Sequence, residues 1–507
     1  MQINQSFCWI LDSIIICVMI KLVKNWTKKE RLIMYQIFSA LIENISNFMY
    51  SYLLIIMLLA VGLYFTLRTK FVQFRFLGES IRLVTEKKSD GNSVSAFEAL
   101  MVSTASRVGT GNIVGVANAI AIGGYGAVFW MWVIAIIGGA SAFIESTLAQ
   151  IYKKRDKDGG SYGGPAYYIE AAMGGKRWLG VIFAIALIAT YAGGFNMLCS
   201  YNLVTSLSGY AFYGDPATSL VPVICGGILA ILVGICVFGG GKRIVKVTGV
   251  MVPIMGISYI VIALVFMVLN FDMIPSVLKN IFVSAFDFKA IFGGFAGSAL
   301  MQGIKRGLYS NEAGVGSAPN AAAAAEVSHP VKQGLVQMLS VFIDTILVCT
   351  ATAMMCLSSG IVPSEELTGA LFVQTALSTT FGNFGFYFIT FALLLFAFTT
   401  LIGNLFYCDG CINYIANRKV SKKTMTIFRI VACVLVFFGA LLDFAFVWNL
   451  ADVLMGIMAI INLPIIVILG KTALDALKDY SKQRKAGKDP HFKASAIGLQ
   501  GKTDFWN

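Results

Sequence analysis

Ser103-Thr104-Ala105-Ser106-Arg107-Val108-Gly109-Thr110-Gly111-Asn112, followed by Ile113-Val114-Gly115-Val116-Ala117, interrupts a run of membrane-spanning length with glycine and polar residues. Unpaired backbone in lipid is too costly unless it lines a cavity, where free N–H and C=O groups replace water around an ion or a zwitterion. Sites of this kind occur where two corresponding helices are broken near the bilayer midplane. A second such stretch is Gly293-Gly294-Phe295-Ala296-Gly297-Ser298, running into Gln302-Gly303-Ile304-Lys305-Arg306-Gly307 and Ser310-Asn311-Glu312-Ala313-Gly314. Blander readings exist for each alone. Gly111 to Gly115 fits Gly-x-x-x-Gly helix packing. Gly109-Thr110-Gly111 lacks the strand context and third glycine of a dinucleotide fingerprint. Two long breaks at matching positions favour a binding site over packing.

Working outward, runs long enough to cross a bilayer fall near 49–67, 95–121, 126–151, 178–206, 218–238, 246–269, 291–318, 331–358, 383–409, 425–446 and 449–470, eleven in all. Stretches 162–174 and 363–379 read as interfacial or loop helices. The breaks lie five helices apart, and five is odd. This predicts an all-α membrane protein of two inverted five-helix units, 93–270 and 271–470, after a leading helix and basic loop over 34–92.

Basic residues alternate with the spans, as positive-inside sorting requires. Arg68, Lys70, Arg75, Arg82, Lys87 and Lys88 follow the first span; Lys153, Lys154, Arg155, Lys157, Lys176 and Arg177 come two spans later. Lys242, Arg243 and Lys246, then Lys332, then Arg418 to Arg429 continue the pattern into a basic tail over 471–507. The alternation places the C-terminus in the cytoplasm and the N-terminus of the core outside. Residues 1–33 break it, because Lys21 to Arg31 would lie outside; they read best as an upstream extension, or else as a signal-like or interfacial segment.

Composition agrees. Of 507 residues, 57% are hydrophobic and 13% charged, about half the charged share of ordinary soluble domains. A net charge of +13 therefore reports topology rather than nucleic-acid binding. The ten cysteines lie mostly in apolar runs and read as small buried hydrophobes; Cys408 and Cys411 have CxxC spacing but no second pair to make a metal site.

Several motifs then make the reading specific. Gly123-Gly124-Tyr125-Gly126-Ala127-Val128-Phe129-Trp130-Met131-Trp132-Val133, ending at Gly138, resembles the signature of the alanine/glycine:cation symporter family. So do Arg107 to Ile113, Lys305-Arg306-Gly307 through Ser310-Asn311-Glu312-Ala313-Gly314 with Gly316-Ser317-Ala318-Pro319, Phe71-Val72-Gln73-Phe74-Arg75, and Phe396 to Gly403. The resemblance spans about residues 62 to 410. It implies a LeuT-type fold, coupling to Na⁺ or H⁺, substrates such as alanine, glycine or glutamine, and a bacterial or archaeal cell membrane. No obligate protein partner is implied.

Similarity to LeuT-type transporters assigns roles. The broken first core helix supplies carbonyls to Na⁺, here Ala105 and Val108, and the eighth supplies hydroxyls, here Thr399 and Thr400. Neutral oxygens suit that ion. Alternatively, the two threonines bond back to carbonyls of their own helix. The substrate carboxylate meets the half-helix start at Gly109, Thr110, Gly111 and Asn112, where N–H groups and the helix dipole favour anions. Gln302 and carbonyls near Gly303 are candidate acceptors for the α-amino group. Two positions depart from the alanine-type pattern: Cys199 stands after Asn196-Met197-Leu198, where many members carry Gln, and Asn404 follows Gly403, where many carry Trp. Both changes predict a pocket that admits a longer polar side chain such as glutamine's.

Intramembrane charges are functional candidates by default. Glu145 and Asp344 are expected to pair with Arg107 or Lys305 rather than to relay protons, and His329 to sit in a loop without a coupling role. Competing readings are a proton-coupled symporter of the same fold, a channel, and a membrane enzyme. An enzyme needs a cluster of carboxylates or histidines at one interface, and the chain has only two histidines.

Overall fold

A chain that must satisfy its backbone hydrogen bonds inside a bilayer has few options besides helix, and this one takes it. The computed structural model describes residues 28–86, 94–155, 160–215, 218–287, 298–364, 367–442 and 444–506. Apart from a two-residue hairpin, β1 (Lys154–Arg155) and β2 (Ser161–Tyr162), its regular elements are helical. Of the expected extension, 1–27 lie outside the described residues, as do Lys87, Lys88, Lys157 and Gly293–Gly297 of the motifs above.

Among the described residues, seven helical stretches are long and apolar enough to cross a membrane: Met34–Arg68, Gly126–Ile151, Trp178–Thr205, Gly241–Leu269, Pro330–Ser358, Asn383–Ala416 and Ala445–Ile468. The other four expected spans are shorter or interrupted. The leading helix begins earlier than the sequence suggested, with α1 (Lys28–Phe48) continuing through a π-wound turn into α2 (Leu54–Arg68). After α3 (Leu77–Val84), Ser95 starts α4 (Ala96–Arg107) with a capping box, its hydroxyl accepting from Glu98 N at 3.0 Å while the Glu98 carboxylate accepts from Ser95 N at 2.7 Å. Beyond a break the same span resumes as α5 (Val114–Gly123), and α6 (Gly126–Ile151) returns.

Next come α7 (Pro165–Ala172), then α8 (Trp178–Ile188) and α9 (Phe195–Thr205) joined through a π-turn, then α10 (Val221–Val237), α11 (Gly241–Leu269) and α12 (Ile274–Ala285). The second interrupted span comprises α13 (Ala299–Asn311) and α14 (Pro319–Ala324). It is followed by α15 (Pro330–Val341), a π-wound stretch at Phe342–Cys349, and α16 (Thr350–Ser358). The last elements are α17 (Gly369–Phe381), α18 (Asn383–Ala416), α19 (Lys422–Gly439), α20 (Phe444–Ile468) and α21 (Gly470–Lys485).

Burial sorts these helices. Along α11, Ile254, Ile257, Val261, Leu264 and Val268 are exposed, an apolar stripe suited to lipid. Every described residue of α13 except Leu300 is buried, as is all of α4 from Ala99 onward, so both broken spans lie at the centre. Small residues set the spacing there: a Cβ on Gly303 would lie 2.4 Å from Ala127 O, and one on Gly307 2.6 Å from the Ile134 side chain. Such close helix contact is how membrane helices associate without a hydrophobic drive between them.

The basic loops gather at one end, called here the basic end. Glu79 of α3 binds Arg484 and the Tyr480 hydroxyl of α21, and Lys332 binds Glu86 and Asp489. His329, buried just before α15, accepts from Val331 N through Nδ1 and faces Asp479 through Nε2 at 3.3 Å. Burial pushes its pKa down to about 4. The loop histidine is thus a helix cap.

Candidate substrate and cation site

α4 stops at Val108, Gly109 is extended (φ −130°, ψ −158°), and Thr110–Asn112 form one 3₁₀ turn before α5. The Asn112 side chain holds this break: its Oδ1 accepts from Gly109 N at 2.8 Å, and its Nδ2 donates to the Asp344 carboxylate at 2.6 Å. Asp344 also accepts from Ser310 and Thr345, each at 2.7 Å. One buried carboxylate thereby ties the first break to α13. It can do so because the π-winding at Phe342–Cys349 shifts its helix face locally.

The second break lies at Glu312–Ala318, overlapping the end of the stretch that suggested it, whose first residues, 293–297, lie outside the described ones. Glu312 has φ 54°, and its carboxylate accepts from Ser317 at 2.6 Å and from Ser106 at 3.3 Å. Glu145 and Asn462 hold the far side: Gly314 N donates to Glu145 at 3.4 Å, while Asn462 Nδ2 donates to Glu145 and to Gly314 O at 2.9 and 3.0 Å. Exposed main chain at both breaks is thus paired with buried side chains rather than with lipid.

Two of the expected site residues need correction. Gln302 and Gly303 sit inside the unbroken helix α13, where their backbone groups belong to the helix ladder. Gln302 packs at Gly123, the far end of α5, whereas Tyr309 of the same helix packs on Gly111. Seven residues separate them, about 10 Å along a helix, so neither Gln302 nor Gly303 reaches the first break. The expected pairing of Lys305 with Glu145 or Asp344 is also wrong. Lys305 Nζ lies 2.9 Å from Asp452, which Arg306 also contacts at 3.3 Å. Arg107, almost fully buried, donates to Gln337 O at 3.2 Å, and among the described residues no carboxylate is within ion-pair distance of it.

The remaining residues converge. Thr400 Oγ1 donates to Ala105 O across the helix interface at 2.9 Å, and a Cβ on Gly109 would lie 2.3 Å from that hydroxyl. Glycine at 109 is what lets α18 approach the break. Thr399 instead bonds back to Leu395 O and Phe396 O at 2.9 and 3.2 Å, the alternative noted above. Ala105 and Thr400 thus share one buried spot beside Gly109, next in the chain to buried Val108, and Thr399 takes no part in that contact.

On the other side of the 3₁₀ turn, Thr110 Oγ1 accepts from Asn202 at 3.0 Å and faces Cys199 Sγ at 3.7 Å. The Tyr309 ring covers Gly111 and packs on Phe195 (4.7 Å between centroids) and Trp448 (5.1 Å). Asn404 lies between Ser106, which donates to its Oδ1 at 2.6 Å, and Asn196, whose Oδ1 accepts from its Nδ2 at 2.9 Å. Cys408 Sγ donates to Asn404 O in the same helix, while Cys411 faces Asn320 Oδ1.

Sequence reasoning missed Ser106, Glu312 and Asn462 as holders of the breaks. Asn462 could have been found as one of three polar residues, with Asn449 and Asp452, in an otherwise apolar span, since an unpaired amide in hydrocarbon needs a partner.

Two interrupted helices at the core of a polytopic bundle, each presenting main chain to a buried polar centre, define a secondary transporter rather than an enzyme. The chain belongs to the sodium:alanine symporter family, which matches residues 34–494. It is 44% identical to the amino-acid carrier protein AlsT of Bacillus subtilis (strain 168), over 93% of this chain and 98% of that one. It is 43% identical to a probable sodium/glutamine symporter, GlnT, of the same organism, over 93% and 97%. Among solved structures, MhsT in complex with L-phenylalanine superposes with a TM-score of 0.51 at 13% identity, covering 82% of this chain and 93% of that one. The fold is therefore the LeuT type, and the family is one of sodium-coupled amino-acid symporters.

Proposed function

We propose that this protein carries a small neutral amino acid into the cell together with Na⁺, by alternating access around the two breaks, and that glutamine is among its substrates. The observation that carries the reading is the meeting of Thr400 Oγ1, Ala105 O and the Gly109 backbone at the first break. Carbonyls and a hydroxyl, with no net charge, suit a desolvated monovalent hard cation. Ala105, Val108 and Thr400 hold the ion. Thr110 and Gly111 begin a new helical segment, and its first N–H groups lack intrahelical partners, so they receive the substrate carboxylate; Asn112, whose own N–H donates to Gly109 O at 3.2 Å, shapes the turn that presents them. The α-amino group then points toward the second break, where Glu312 and the backbone at 313–317 replace the expected Gln302 and Gly303.

Support for glutamine comes from Asn404 and Asn196, a buried amide pair bridged to Ser106, and from the name borne by the 43% identical relative. A primary amide on the substrate can exchange for either partner. Eleven crossings, as two inverted five-helix units after a leading helix, complete the architecture, with the basic end in the cytoplasm of a bacterial or archaeal cell.

Counterflow tests the class. Vesicles preloaded with unlabelled glutamine or alanine accumulate labelled substrate transiently if the protein is a carrier; a channel shows no overshoot. Asn404→Trp tests the pocket. It should abolish glutamine uptake while sparing alanine, and intact glutamine uptake would refute the selectivity assignment.

A further inference from the structure

The basic ends of the two broken spans meet. Val94, just before α4, forms a parallel bridge with Ala325, just after α14, and Glu326 N donates to Val94 O at 2.8 Å. A path from the breaks to the basic end opens only when these two half-helices, which pack on one another, move; α14 also runs along α6. What holds them there is specific. Ala325 O accepts from both Gln150 Nε2 (2.8 Å) and Lys153 Nζ (2.9 Å) at the end of α6.

The tail after α21 locks that same junction. Trp506 Nε1 donates to Gln150 O at 2.7 Å, and the rings of Phe505 and Trp506 lie 3.9 and 5.0 Å from Lys153 Nζ. Asp504 accepts from Arg155 N at 2.9 Å. Phe492 N donates to Ser328 O at 2.9 Å, and Ser328 donates back to Pro490 O at 2.8 Å, so the tail is fastened on both sides of the Ala325 junction. Asp489 adds an ion pair to Lys332 of α15. Ala494 N donates to Trp506 O at 3.0 Å and closes the segment on itself. Phe505 and Trp506 lie beyond the residues matched to the family, which end at 494.

We propose that residues 489–506 form a strap that holds the basic-end halves of both broken helices closed, and that its release admits the site to that side. The inference rests on the alternating-access reading above, and it adds a control element to it. Hydrogen exchange needs no substrate, so an error in the substrate assignment leaves this test intact. Full-length protein in lipid nanodiscs is compared with Trp506→Ala, Trp506→Phe and Asp504→Ala, following peptides over 94–107 and 319–329. Losing one net hydrogen bond should raise exchange there about fivefold for Trp506→Ala, and less for Trp506→Phe, which keeps a ring over Lys153. Exchange over 114–123 should not change. Should Trp506→Ala not fold, the exposed Asp504→Ala, which removes the acceptor for Arg155 N, decides, with the same local rise expected. Unchanged exchange at both peptides, or an equal rise throughout the protein, overturns the proposal.

Discussion

Replacing Gly109 by alanine probes the proposed cation site through a single methyl group. The backbone there is extended (φ −130°, ψ −158°), a conformation alanine adopts without strain, so the effect is purely steric. The new Cβ would lie 2.3 Å from Thr400 Oγ1 and 3.2 Å from Thr400 Cβ. The hydroxyl must retreat by about 1 Å to reach ordinary contact, which takes it off Ala105 O and out of reach of an ion held there. Losing one polar ligand to a charged group costs about 1.5–3 kcal/mol. That predicts roughly a tenfold or greater rise in the Na⁺ concentration for half-maximal uptake, with folded yield unchanged. The assay is initial uptake in proteoliposomes against external Na⁺ at constant ionic strength. Thr400→Val should reproduce the shift, because it removes the hydroxyl and keeps the shape. Thr399→Val should not, because that hydroxyl serves its own helix. The reasoning is refuted if Gly109→Ala leaves the Na⁺ dependence unmoved, or if Thr399→Val moves it more than Thr400→Val does.

The buried charges and caps carry further expectations. Asp452→Asn leaves Lys305 and Arg306 buried without their shared counter-charge, and should destabilise the protein by about 3–5 kcal/mol, read as a fall in thermal midpoint in detergent. Asn112→Ala removes both the bond to Gly109 N and the bond to Asp344; uptake should fall at least tenfold, whereas Gln302→Ala should leave the substrate KM within about twofold, consistent with its position about 10 Å away. His329 is neutral in the fold down to about pH 4, while in the unfolded chain it binds a proton near pH 6.5. Its contribution to stability is therefore lost as pH falls from about 6.5 to 4. His329→Asn, which can still cap α15, should flatten that part of the stability profile, measured as the thermal midpoint of wild type minus variant.

Much of the fold was legible because bilayers constrain sequence so strongly. Apolar runs of spanning length carry the class and seven of the eleven expected spans, and Gly109-Thr110-Gly111-Asn112 marked the first break at the right residues. The second break was read over too long a stretch for a physical reason: of the residues quoted from 293 to 314, the first five lie outside the described ones, and after the Ser298 cap only Glu312 onward departs from helix. Gly303 and Gly307 read as helix breakers, yet they serve close packing on Ala127 and Ile134, and nothing in composition separates those uses. The true break, at Glu312–Ala318, is held by Glu145 and Asn462 from distant helices, partnerships that only the folded chain reveals. Thr399 and Thr400 are likewise identical in sequence terms. They differ because one faces α4 and the other its own helix. The order in the tail was invisible too, since a basic segment rich in Lys and Gly reads as solvated until Phe492, Phe505 and Trp506 find Lys153 and Ser328.

Uptake of labelled alanine, glycine and glutamine by purified protein in sealed proteoliposomes, with an inward gradient of Na⁺ or of K⁺, tests the central claim most directly. Concentrative, saturable accumulation of at least one of them under Na⁺, absent under K⁺ and collapsed by a sodium ionophore, is the predicted result. Equal accumulation under both gradients, or flux that never exceeds the external concentration, would contradict a sodium-holding break at Ala105, Val108 and Thr400.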